Sequence, residues 1–121
     1  MRVLLSIKPE YALQIFDGIK KYEYRRVIFK KPVEKIIVYA SSPVQLVIGE
    51  FQIDELISTS IDELWEQTQE YSGISKEYYY RYFSNVDEGY AIKIGEVKRY
   101  ATPKTIQEVF GINPPQSFAY V

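Results

Sequence analysis

The residues best equipped for chemistry sit together in Gly18-Ile19-Lys20-Lys21-Tyr22-Glu23-Tyr24-Arg25-Arg26. Seven of the fifteen basic residues fall between Lys20 and Lys35. If residues 21–28 form a strand, its two-residue period puts Lys21, Glu23 and Arg25 on one face and Tyr22, Tyr24 and Arg26 on the other. A carboxylate flanked by two cations can hold an arginine fork in place, and the fork can then grip a phosphate or a base edge. A Lys–Glu pair can also move protons if burial shifts both groups towards neutrality, with Tyr22 or Tyr24 as a hydrogen-bond donor. The structural alternative is a salt-bridged edge strand whose charges deter aggregation.

The chain contains no histidine and no cysteine. That excludes Ser-His-Asp and Cys-His catalysis, disulfides, and metals held by His or Cys. Catalysis would fall to Lys, Glu, Asp, Tyr, Ser or Thr. No Gly-rich turn follows a strand and no P-loop is present, so no cofactor and no metal is expected.

Further candidates are scattered along the chain. Lys8 follows the first predicted strand, and Ser41 and Ser42 lead a Ser-Ser-Pro turn whose hydroxyls and backbone can donate to a ligand or simply build the turn. Gln116 is suited to reading a base edge, with Ser117 beside it, although both can equally close the fold. The run Glu77-Tyr78-Tyr79-Tyr80-Arg81-Tyr82-Phe83 offers rings to unpaired bases. Its i,i+4 pairs, Tyr78 with Tyr82 and Tyr79 with Phe83, fit packing against a core better. Asp62, Glu63 and Glu66 read as a solvated helix face, and Trp65 as core.

The elements that must position these groups are short. Residues 2–7 read as a strand stopped by Lys8-Pro9, and Pro9 opens a helix that Gly18 ends. Strands follow at 21–28, at 35–40 (apolar on both faces) and at 45–56, where Gly49 marks a bulge or a close backbone approach. Ser60 with Glu63 predicts a capped helix to Thr68, and Ser75 opens another over 76–84. Asp87-Glu88-Gly89 reads as a turn, 90–100 as a half-buried strand, Thr102-Pro103 as the start of a helix ending at Gly111, and 117–121 as a last strand. This β-α-β-β-β-α-α-β-α-β order favours an antiparallel or mixed barrel.

At 121 residues the chain fits one domain, 1–121, large enough to bury a core. Net charge is −1, but residues 1–40 carry nine Lys/Arg against four Asp/Glu, and residues 41–90 carry two against ten. A uniformly basic coat is excluded, while a local basic cleft is compatible. No run approaches the length of a membrane span or a signal sequence, so a cytoplasmic protein without membrane contact is expected.

The motif Gly-x-Lys-x-x-Glu-x-Arg, filled by Gly18, Lys20, Glu23 and Arg25, resembles the signature of the ASCH domain, a branch of the PUA-like superfamily. Ser6-Ile7-Lys8-Pro9, Tyr39-Ala40-Ser41-Ser42-Pro43, Ile48-Gly49-Glu50-Phe51 and Pro114-Pro115-Gln116-Ser117-Phe118 are similar to small bacterial and archaeal members. The resemblance implies an α+β fold, a PUA-like mixed or antiparallel β-barrel with short helices at its rim and a cleft lined by the signature. It implies RNA, nucleotide or nucleoside as ligand, held by Lys8, Lys20, Lys21, Glu23, Arg25, Arg26, Ser41, Ser42, Gln116 and Ser117. The alternative it implies is a metal-independent hydrolase, either an amidohydrolase of acetylcytidine or a ribonuclease, with Lys20 and Glu23 catalytic. In the amidohydrolase branch a Thr stands where this chain has Glu23, and a glutamate comes from a later helix, here Glu77.

Overall fold

A computed structural model describes all residues, 1–121. Its elements are β1 (Arg2–Ile7), α1 (Pro9–Phe16), β2 (Tyr22–Arg25), β3 (Lys35–Ala40), β4 (Leu46–Ser60), α2 (Ile61–Thr68), a 3₁₀ turn (Gln69–Tyr71), α3 (Lys76–Tyr82), β5 (Glu88–Lys104), α4 (Ile106–Phe110) and β6 (Phe118–Tyr120). The strands form one mixed sheet in the order β2-β5-β4-β3-β1-β6. Only β1 and β3 run parallel; α1 and β2 lie between them in the chain. The sheet curls into a half-barrel with short helices, the expected α+β architecture, and β2 and β6 remain its edges. No helix is long and apolar enough to cross a membrane.

The apolar runs of β1 and β3 are buried on both faces because each face meets a different layer. Val3, Leu5, Ile36, Val38 and Phe51 pack with Ala12 and Ile15 of α1. Leu4, Ile37, Tyr39 and Val47 pack under Ile106 of α4 on the other side. A third cluster joins Tyr24 and Ala91 to Leu64 of α2 and to Tyr79 and Phe83 of α3. Burying the Val, Leu, Ile and Phe side chains among these stabilises the fold by roughly 1.5–3 kcal/mol each.

The caps follow the sequence with two departures. Ser60 Oγ accepts from the Glu63 N–H, and Ser75 Oγ accepts from the Tyr78 N–H. The Glu63 carboxylate accepts from Thr59 Oγ1 and does not complete a reciprocal box. The full box belongs to Thr105 and Glu108, so α4 starts there, and Thr102-Pro103 stays in β5. Strands β4 and β5 run on beyond their expected ends because they pair with each other from Val47–Lys104 to Ser60–Glu88. Strand β2 is shorter than expected, with only Tyr22 to Arg25 finding partners on β5.

Gly49 is both a bulge and a close approach. The register with β5 shifts between Val47 and Gly49. A Cβ there would lie 2.5 Å from the Phe16 ring and 2.7 Å from the Lys98 carbonyl oxygen. The ring can turn, but the carbonyl belongs to a paired strand. Gly49→Ala is expected to cost about 1–3 kcal/mol, as overpacking does, read as a lower urea midpoint; an unchanged midpoint would contradict this packing.

Candidate functional site

A cavity of about 460 Å³ opens among the end of β1, α1, β2, the β3–β4 turn, α3 and the segment before β6. Its position follows from the unclosed sheet. Where a barrel would pair its edges, this chain uses side chains. Arg25, at the end of edge strand β2, donates from Nη2 to the Ser6 carbonyl of β1 at 2.7 Å. The same nitrogen lies 3.2 Å from Glu23 Oε2, and Nη1 reaches Ser117 Oγ at 3.5 Å. Ser6 meanwhile donates from its backbone N–H to the Ser117 carbonyl and from Oγ to the Pro115 carbonyl. One guanidinium thus links edge strand β2 to β1 and to the segment that leads into β6, and Glu23, only 7% exposed, pairs with it.

Lys20 lies deeper still, at 2% exposure. Gly18, at φ +79°, turns the chain out of α1, and the Gln14 carbonyl accepts from the Ile19 and Lys20 N–H groups. The next residue is clamped on both sides: the Lys21 N–H donates to Tyr71, and the Lys21 carbonyl accepts from Ile94. Gly73 makes room for the Lys20 stem, since a Cβ there would lie 2.9 Å from Lys20 Cβ and Cγ. The ammonium donates to the Ser72 carbonyl at 2.5 Å and sits 5.3 and 5.0 Å from the ring centres of Tyr11 and Tyr24. Rings at this range attract a cation. Burial nevertheless lowers the Lys20 pKa; the Glu23 carboxylate works against the shift and Arg25 adds to it.

Tyrosines form much of the remaining wall: Tyr11, Tyr24, Tyr39, Tyr78 and Tyr82. Thr68 Oγ1 donates to the Leu64 carbonyl, so in its 2.6 Å contact with Tyr24 the phenol is the donor. Burial pushes Tyr24 and Tyr11 up to about 12, which keeps both neutral. Tyr82 donates to the Tyr24 carbonyl, and Lys8 reaches Tyr78 Oη at 3.1 Å, a bond that raises the Lys8 pKa. The charged groups on the wall are Lys8, Lys20 and Arg25 against the single carboxylate of Glu23.

The cavity therefore brings together Lys8, Lys20, Glu23, Arg25, Ser41, Ser42 and Gln116. Ser117 joins through its contact with Arg25. Lys21 and Arg26 do not line it: Lys21 Nζ lies 4.6 Å from the Tyr71 ring centre, and Arg26 donates to the Ser84 carbonyl. The alternation drawn through residues 21–28 fails because β2 has four residues and neither cation belongs to it. Glu77 is exposed on α3 and lies off the cavity wall. The aromatic run divides: Tyr79 and Phe83 are core, while Tyr78 and Tyr82 face the cavity. Tyr11 and Gln45 also line it without having been singled out, and Tyr39 entered only as the first residue of the Tyr39–Pro43 resemblance; their type and spacing carry no signal that separates wall from core.

The fold is an α+β half-barrel of six strands with short helices, and its open seam holds a polar, tyrosine-walled cavity. The chain belongs to the ASCH domain family, whose model matches residues 5–110. It is 26% identical to the "ASCH domain-containing ribonuclease" of Zymomonas mobilis, over 98% of this chain and 82% of that protein. The crystal structure of the ASCH protein from that organism superposes with a TM-score of 0.91, covering 99% of this chain and 87% of that one at 26% identity. The chain is also similar to segments of two Ureaplasma parvum proteins. It is 35% identical to part of "ATP synthase subunit alpha" and 30% identical to part of "Large ribosomal subunit protein uL22", each over 98% of this chain. It spans 15% and 39% of their lengths.

Two outcomes test this electrostatic picture. Removing Glu23 leaves a buried guanidinium uncompensated, so Glu23→Ala is expected to cost about 3–5 kcal/mol in urea unfolding. A loss under about 1 kcal/mol would mean that solvent screens the pair. Lys20 binds its proton less tightly folded than unfolded, so between its lowered value and the ordinary 10.5 the unfolded chain holds more protons. Stability should therefore rise with pH through that window relative to Lys20→Met, and parallel profiles for the two proteins would contradict it.

Proposed function

We propose that the cavity binds a single unpaired nucleotide, presented by an RNA strand or free. The observation that carries this reading is the pairing of tyrosine rings with three cations and one fixed carboxylate in a cavity of about 460 Å³. That size is within the range of small-molecule sites. The rings of Tyr11, Tyr78 and Tyr82 suit stacking of an unpaired base. The Glu23 carboxylate, paired with Arg25, offers hydrogen-bond acceptors, which suit an exocyclic amino group such as that of cytosine. Lys8 and Arg25 suit a phosphate. The name of the Zymomonas mobilis relative supports RNA as the source of that nucleotide.

A second reading, metal-independent hydrolysis, is favoured by one observation. Lys20 is the cation on the wall whose proton affinity burial has reduced, and a lysine shifted this way can serve as a base. In RNA cleavage it would take the proton of the attacking hydroxyl. The amidohydrolase variant has less support, because Glu23 stands in place of the hydroxyl residue and no second carboxylate lines the cavity.

The test combines binding with product analysis. Short single-stranded RNAs and a nucleoside panel including acetylcytidine are mixed with wild type, Lys20→Ala and Glu23→Ala, in EDTA. The expected result is salt-sensitive binding with a shallow slope, about −0.7 in log K against log salt for the one phosphate held by Lys8 and Arg25, lost in both variants. Absence of binding at low salt would overturn the reading. Product that survives EDTA and disappears in Lys20→Ala would make the domain an enzyme.

A further inference from the structure

The cavity does not end at its own wall. A second chamber of about 210 Å³ adjoins it and shares Tyr39, Gln45 and Pro114 with it. Beyond these shared residues its lining comes from α4 and the segment after it, notably Gln107, Ile112 and Asn113. No Lys, Arg, Asp or Glu lines it, in contrast with the first chamber. Gln45, Gln107 and Asn113 are all exposed, so their amides are open to an incoming group. The Thr105 hydroxyl, by contrast, is committed to Glu108 in the cap of α4.

We infer that this second chamber receives the base of an adjacent nucleotide, so that the protein's ligand is at least a dinucleotide step of single-stranded RNA. The inference rests on the nucleotide-binding reading of the first chamber. Three features point to a base and not a phosphate: the chamber has no cation, it has apolar walls in Ile112 and Pro114, and it carries amides. An amide side chain presents one acceptor and two donors, the complement of a base edge. The linking phosphate stays in the first chamber, which holds Lys8 and Arg25. Tyr39 stands in both walls, at the passage between the two bases.

The test compares nucleoside monophosphates with the sixteen RNA dinucleotides by calorimetry, for wild type, Asn113→Trp and Gln107→Leu. Asn113 and Gln107 are exposed, so neither substitution disturbs the core. The best dinucleotide is expected to bind wild type about tenfold more tightly than the corresponding monophosphate, as one further stacked base provides. Asn113→Trp, which fills the chamber, should bring that ratio near one. Gln107→Leu should flatten the preference among bases at the second position. Equal affinity for monophosphate and dinucleotides in wild type would overturn the second chamber and leave the first intact. An undiminished ratio in Asn113→Trp would place the second base elsewhere and also overturn it. Binding of neither ligand class would overturn the nucleotide reading itself.

Discussion

The structure depends on the way Arg25 bridges a sheet that does not close. Edge strand β2 ends at Arg25, and the guanidinium crosses to the Ser6 carbonyl and the Ser117 hydroxyl. Burying a guanidinium costs several kcal/mol unless it is paired and hydrogen-bonded, and Glu23 two residues earlier supplies the countercharge. A side-chain bridge holds the edges together and leaves a space beside it, and that space is the cavity.

Lys20 adds a third buried charge to the same site, held by a carbonyl and two ring faces in place of a carboxylate partner. This support is weaker than an ion pair, so burial dominates and the proton is held less tightly. The three groups therefore differ in kind. Arg25 sets geometry, Glu23 keeps Arg25 in place and faces the cavity, and Lys20 holds its proton less tightly than an exposed lysine does. A gripping site and a proton-transferring site can use the same trio; the ligand's reacting atom and its distance from Lys20 decide between them.

Much of this was legible in the residues. The order of elements followed from turn residues and short apolar runs, and Gly49 carried its meaning because a glycine inside a strand marks a bulge or a close contact. Strand spacing grouped Lys21 with Glu23 and Arg25, and Lys20 joined them only through the resemblance of Gly18 to Arg25 to the family signature. Three things were not legible. The extent of β2 depends on where β5 ceases to pair with it, which local pattern does not encode, so Lys21 and Arg26 were grouped with the site although neither lines it. The aromatic helix holds two i,i+4 pairs of like composition, and only the placement of α3 shows that Tyr79 and Phe83 face the core while Tyr78 and Tyr82 face the cavity. The burial of Lys20 rests on Gly73 and the Ser72 carbonyl, more than fifty residues away in the chain.

The Zymomonas mobilis ASCH protein shares this architecture over nearly the whole chain, and the Ureaplasma parvum proteins contain segments similar to it in sequence. The most direct test is a crystal structure of the protein with a short single-stranded RNA. The account predicts one nucleotide inside the cavity, its base against the tyrosine rings, with Glu23 and Arg25 in contact with it. RNA bound on another face, with the Glu23–Arg25 pair untouched, would contradict it.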